Sequence, residues 1–124
     1  MKYTTAIAML FFVGCIGHEV IPPVSKVDIP KSQFYVVLYT PDNDGYFYGI
    51  FERHSSTKPY GTTRDLGHVH VDEESAPIIK EESPGVYRIV WGSGDKAAYV
   101  VIDVNKRLIV EDANPENERN YPLD

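Results

Sequence analysis

Cysteine is almost absent from this sequence: one cysteine occurs among 124 residues. A single thiol cannot close a disulfide within the chain, which excludes a disulfide-stapled fold. Clustered basic residues are also missing, since 12 Lys and Arg face 18 Asp and Glu and no run of five basic residues occurs. Affinity for a phosphate backbone comes from clustered Lys and Arg, so no nucleic-acid partner is expected.

Long apolar runs are lacking as well. The uncharged apolar stretch at residues 4–14 has eleven residues, whereas crossing a bilayer takes roughly 20. This stretch follows Lys2, and a positive start before a short apolar run is typical of a secretory signal. The sequence therefore predicts a cleaved signal peptide at residues 1–14.

The four residues that end this segment, Phe12-Val13-Gly14-Cys15, carry a more specific signal. A small residue directly before a cysteine at this place resembles the lipobox of bacterial lipoproteins, in which Leu is usual where this chain has Phe12. The resemblance implies that Cys15 is acylated, which also explains the lone thiol of an exported chain. Its lipid chains would then anchor the mature protein to a membrane of the cell envelope. Ile16 rather than Asp follows the cysteine, which by the same resemblance implies the outer membrane, facing the periplasm, if the cell is Gram-negative.

The rest of the chain divides by composition. Three prolines lie in residues 15–31, which predicts an extended, semi-rigid tether behind the lipidated cysteine. A β domain is predicted at residues 32–112. The polar, proline-containing residues 113–124 are predicted to form a flexible tail.

Strand signals follow one another through the predicted domain, and no sustained helical periodicity occurs outside the signal segment. Residues 55–67 are polar and predict a loop, and residues 41–45 predict a hairpin turn. Short turn-bounded strands indicate an all-β, antiparallel, meander-like small sandwich or barrel of six or seven strands. The predicted strands are residues 33–40, 46–54, 68–71, 78–82, 86–91, 97–104 and 107–111.

One short strand suggests a metal site. If residues 68–71 are extended, His68, His70 and Asp72 point to the same side. Two imidazoles and a carboxylate could hold Zn²⁺ or another transition ion, and this is the one cofactor that the sequence suggests. The alternative is an edge strand whose polar side lies in water. No nucleophile, base and orienting group converge in the sequence, so no catalytic residue is predicted.

The first predicted hairpin is rich in aromatic residues that alternate on both of its faces. One face should form the core, and the other, if exposed, would suit contact with a peptide, a sugar or a protein. Tyr35, Tyr46 and Tyr48 are the predicted contact residues, and Trp91 is predicted to lie in the core. The aromatic set comprises Phe34, Tyr35, Tyr39, Tyr46, Phe47, Tyr48 and Phe51.

These observations favour a small membrane-anchored envelope lipoprotein that acts as a non-enzymatic binding or structural module. Its partners would be the membrane, through the lipid anchor, and an envelope protein or a glycan. Two alternatives stay open at this point. One is a metal-binding protein or metal-dependent enzyme that uses the strand of His68 and His70, and the other is an inhibitor or immunity lipoprotein.

Overall fold

A computed structural model describes residues 23–40, 45–53 and 61–123. These residues form nine strands and no helix, which confirms the predicted all-β class. The structure has two strands more than the larger of the predicted numbers, which was seven. The signal peptide and Cys15 lie outside the described residues, as does most of the predicted turn at 41–45. The strands are β1 Ser25–Asp28, β2 Phe34–Tyr39, β3 Tyr46–Glu52, β4 Gly61–Gly67, β5 Ile78–Ser83, β6 Val86–Trp91, β7 Ala98–Asp103, β8 Leu108–Asp112 and β9 Tyr121–Pro122.

The strands make two antiparallel sheets, each with its strands in sequence order. Sheet I has the order β1-β2-β3-β4, and sheet II has the order β5-β6-β7-β8-β9. Within each sheet, consecutive strands therefore pair with one another, which is the meander expected from the turn-bounded strands. Within the described residues, no helix is long and apolar enough to cross a membrane.

The core lies between the two sheets. Inward-facing side chains alternate with outward-facing ones along each strand, as the period of two requires. Trp91 is 2% exposed and its indole Nε1 donates a 2.9 Å hydrogen bond to Ser25 Oγ, so its predicted core position is confirmed. The buried core comprises Ile29, Phe34, Val36, Leu38, Tyr48, Ile50, Leu66, Tyr87, Ile89, Trp91, Ala98, Val100, Ile102, Ile109 and Leu123.

Two predicted elements differ from the structure between β3 and β5. Residues 61–67, expected as loop, form β4, whose pairing with β3 from Phe47 to Phe51 compensates for its polar sequence. Residues 68–71, expected as a strand, form only an isolated bridge between His70 and Ala97. Alternation in so short a segment did not predict pairing, because a strand also needs a neighbouring strand that its backbone can reach over more than one residue.

The paired region also extends beyond the predicted domain, residues 32–112. Inside the predicted tether, β1 pairs with β2 from Ser25 opposite Leu38 onward. Inside the predicted tail, β9 pairs with β8, and Leu123 is 3% exposed. The Leu123 amide donates a 3.0 Å hydrogen bond to the Arg107 carbonyl. Residues 121–123 thus belong to the fold, because burial of one apolar side chain accompanies their backbone pairing.

Candidate functional site

The outward faces of the two sheets differ in chemistry. On sheet II, Arg88 forms a 2.7 Å ion pair with Glu82, and its guanidinium lies 4.9 Å from the ring centre of Tyr99. Glu111 forms a second ion pair with Arg119, at 3.2 Å. Paired charged side chains therefore share this face with apolar ones, of which Ile78 is 66% exposed.

The outward face of sheet I is aromatic instead. Along β2 and β3, every second residue points away from the core, and directly opposed residues share a face. The opposed pairs on this side are Tyr35 with Phe51, Val37 with Gly49, and Tyr39 with Phe47. The four rings are half-buried, whereas Val37 and Gly49 beneath them are buried. We call this surface the aromatic face; it consists of Tyr35, Val37, Tyr39, Phe47, Gly49 and Phe51.

Two glycines allow one of these rings to lie against the sheet. A Cβ built on Gly49 would stand 2.6 Å from Phe51 Cζ, and one built on Gly61 would stand 3.0 Å from Phe51 Cε1. The Phe51 ring therefore occupies the space that a side chain at position 49 would fill, and at position 61 a Cβ would meet the Ile50 carbonyl oxygen as well as this ring. Tyr35 continues the platform, with its ring centre 5.6 Å from that of Phe51 and tilted by 33°. Lys26 Nζ lies 4.6 Å from the Tyr35 ring centre.

The structure separates the three tyrosines predicted as contact residues. Tyr35 lies on the aromatic face, but Tyr46 and Tyr48 have the opposite parity along the hairpin and face the core. Tyr48 is fully buried, so it cannot contact a partner. The Tyr46 hydroxyl donates to a Glu73 carboxylate oxygen, and this hydrogen bond, helped by partial burial, raises the pKa of Tyr46 to about 12.

Sequence reasoning did not single out Tyr39, Phe47 and Phe51 as members of the exposed face. The signal was present, because these residues alternate with the apolar residues of β2 and β3 that form the core. To identify the exposed face from the sequence, one must know which of the two alternating sets of residues in β2 and β3 packs against sheet II.

A buried polar cluster joins the two sheets. Asp112, at the end of β8, is 7% exposed, and its Oδ2 accepts hydrogen bonds from Tyr48 at 2.6 Å and from Asn117 Nδ2 at 2.8 Å. Arg64 Nε lies 3.4 Å from the same oxygen, and the Arg64 side chain is 8% exposed. Burial, followed by the hydrogen bond to Asp112, raises the pKa of Tyr48 well above its ordinary value. Asp112 Oδ1 also accepts a 2.9 Å hydrogen bond from the Asn114 amide, so both oxygens of this carboxylate are engaged within the fold.

A depression of about 300 Å³ lies beside this cluster. Its carboxylates are already engaged, because Asp112 is held as described and Glu111 accepts a 3.2 Å hydrogen bond from the Tyr99 hydroxyl as well as its ion pair with Arg119. The depression is lined by Tyr99, Glu111, Asp112, Ala113, Asn114, Pro115, Asn117 and Arg119.

The predicted metal ligands do not converge. Residues 68–72 form no strand, so the alternation that would place His68, His70 and Asp72 on one side does not apply. Asp72 instead accepts hydrogen bonds from Ser75 Oγ at 2.8 Å and from the Glu74 amide at 3.1 Å. The bond from Ser75 is the main reason that the pKa of Asp72 is lowered. No three His, Cys, Asp or Glu side chains within the described part of the chain are grouped to hold a metal ion.

The chain matches no protein-family model, and no curated protein or solved structure matches it significantly. The four rings of the aromatic face are neither buried in the core nor engaged in ion pairs. This distinguishes the aromatic face from the outside of sheet II and from the buried polar cluster.

Proposed function

We propose that this protein is a small lipoprotein of the bacterial cell envelope, anchored by lipid chains on Cys15, and that its β-sandwich is a non-enzymatic binding module. The anchor rests on Phe12-Val13-Gly14-Cys15 at the end of a short apolar segment. Several acyl chains on one residue give stable membrane attachment, because each buried methylene contributes about 0.8 kcal/mol.

The contact surface in this proposal is the aromatic face. The observation that supports it is the asymmetry of the sandwich: four aromatic rings are grouped on the outside of sheet I, while the outside of sheet II carries ion pairs among its other side chains. Grouped aromatic residues at a surface supply large contact area at little cost in side-chain entropy. Such groups are typical of recognition surfaces.

The tether in this proposal is shorter than the sequence predicts. β1 begins at Ser25, ten residues after Cys15. Ten residues reach at most about 35 Å. A lipid on Cys15 would therefore hold the sandwich close to the membrane surface, where its ligand must also be found.

Metabolic labelling with radioactive palmitate tests the anchor. The native chain should become labelled and sediment with membranes, whereas Cys15→Ser should remain unlabelled and unprocessed. Ile16→Asp is the matched control, because it should keep the label and, in a Gram-negative cell, change only the membrane in which the protein is found. An unlabelled native chain, or a native chain in the cytosolic fraction, would refute the proposal.

A further inference from the structure

We infer that the aromatic face binds an extended glycan strand of the cell wall. The inference rests on the proposed function, which displays the sandwich at the envelope. It adds the chemical class of the partner and the residues that contact it. The recognising groups are the rings of Tyr35 and Phe51 at one end of the face and those of Tyr39 and Phe47 at the other.

The size of the face argues for a slender ligand. Four strands about 4.8 Å apart and six residues long at about 3.3 Å each span roughly 15 Å by 20 Å. That is about 300 Å², whereas a stable protein interface takes roughly 800 Å² from each partner. A second copy of this chain, or another globular protein, would need more surface than the face of sheet I supplies. A polymer chain one sugar wide needs no more than this.

The arrangement of the rings matches a chain of sugars better than a single sugar. The C–H faces of a pyranose ring are apolar and flat, and they stack on aromatic rings. The two ring pairs are four residues apart along β2, with Val37 and Gly49 between them. Four residues correspond to roughly 13 Å between the backbone positions of the two pairs, which is longer than one pyranose. A ligand that covers the face from one pair to the other is therefore an oligosaccharide rather than a single sugar.

Polar side chains flank the rings on the same face of the sheet. Lys26 of β1 lies opposite Val37, and Asp28 lies opposite Tyr35. On the other side, Thr63 of β4 lies opposite Gly49 and Asp65 lies opposite Phe47. Asp28 also forms a 3.1 Å ion pair with Arg53, and Asp65 Oδ1 accepts a 2.7 Å hydrogen bond from the Gly67 amide. The second carboxylate oxygens, the Thr63 hydroxyl and the Lys26 ammonium line the face without a cluster of one charge sign. An uncharged polymer suits this flank better than a polyanion, which would need clustered Lys and Arg.

Isothermal titration of the full chain in detergent with a β-1,4-linked hexamer of N-acetylglucosamine tests the inference. The hexamer should bind, and the monosaccharide should bind at least roughly tenfold more weakly. Tyr35→Ser and Tyr39→Ser should each weaken hexamer binding by about tenfold, since each removes one stacking ring. Tyr99→Ser, on the outside of sheet II, is the matched control and should bind as the native chain does.

A second variant separates binding from folding. Tyr35→Phe keeps the ring, so it should bind within about threefold of the native chain even if Tyr35→Ser proves unstable. Absence of hexamer binding by the native chain would overturn the inference. So would equal binding by Tyr35→Ser, or a dimer in sedimentation that Tyr35→Ser dissociates, which would assign the face to a second copy.

The outcome is independent of the anchor. Titration in detergent does not require lipid on Cys15, so hexamer binding without palmitate labelling would retain the glycan surface and reject the envelope lipoprotein. Palmitate labelling without hexamer binding would retain the envelope lipoprotein and reject the glycan surface.

Discussion

The hydroxyl of Tyr48 on sheet I donates a 2.6 Å hydrogen bond to the carboxylate of Asp112 on sheet II. Both side chains are buried, so this bond crosses the core where water cannot replace it. Hydrogen bonds to charged groups contribute about 1.5–3 kcal/mol. The pair therefore aligns the two sheets as well as stabilising them.

Replacing Tyr48 with Phe tests this bond at nearly constant volume. Tyr48→Phe should lower the free energy of unfolding by about 2 kcal/mol, because the Asp112 carboxylate loses its shortest partner while remaining buried. Urea unfolding measures the loss. Tyr35→Phe, on the aromatic face, is the matched control and should change stability by less than about 0.5 kcal/mol. Equal unfolding midpoints for the two variants would show that the bond contributes nothing.

Removing the charge of Asp112 tests the other partner. Asp112→Asn should cost about 3 kcal/mol, because it leaves the Arg64 guanidinium, 8% exposed, without its counter-ion. Glu111→Gln is the matched control. Its ion pair with Arg119, whose side chain is 68% exposed, contributes at most about 1 kcal/mol. Urea unfolding of both variants gives the comparison, and a smaller loss for Asp112→Asn than for Glu111→Gln would contradict the structural role of the cluster.

Tyr46 predicts an alkaline limit to stability. Its pKa is raised from 10.0 to about 12 in the folded protein, first by the hydrogen bond to Glu73. The folded state therefore holds this proton more tightly than the unfolded state, so the contribution is complete below pH 10 and is lost as the pH rises towards 12. In urea unfolding, the stability difference between the native chain and Tyr46→Phe should shrink over this interval. A difference that stays constant from pH 9 to pH 12 would argue against the hydrogen bond.

Gly49 and Phe51 should be coupled. Ala normally favours an extended strand over Gly by about 0.5–1 kcal/mol, because Gly loses more backbone entropy. Gly49→Ala should instead destabilise the protein by about 1 kcal/mol, since the new Cβ would meet the Phe51 ring. In a Phe51→Ala background the same change should become stabilising. Gly45→Ala is the control, because nothing lies within 4 Å of its Cβ position. Thermal melting of the double-mutant cycle measures the coupling, and additive effects would contradict it.

Leu123 tests whether the last residues belong to the fold. Leu123→Ala should cost about 2–4 kcal/mol, because its side chain is 3% exposed within the core. Ile78→Ala is the matched control, as that side chain is 66% exposed and should contribute less than about 1 kcal/mol. Chemical unfolding of the two variants decides the question, and equal losses would mean that residues 121–123 do not pack in solution.

The strands that the sequence predicted best are those with their own apolar or aromatic pattern. β6 has the predicted bounds, residues 86–91, and β2 and β3 differ from prediction by one or two residues at their ends. β4 was missed because its sequence is polar, with two Thr, an Arg and an Asp in seven residues. β1 and β9 were missed because they are short and depend on pairing with β2 and β8 rather than on their own propensity.

The sequence by itself determined the all-β class, the meander and the presence of aromatic side chains on both faces of the first hairpin. These follow from residue type and from the period of two, which are local properties. Only the tertiary structure decided that Tyr48 meets Asp112 while Tyr35 and Phe51 face outward. The reason is that the packing of sheet I against sheet II selects which alternating set is buried, and that choice depends on residues more than 60 positions apart in the chain.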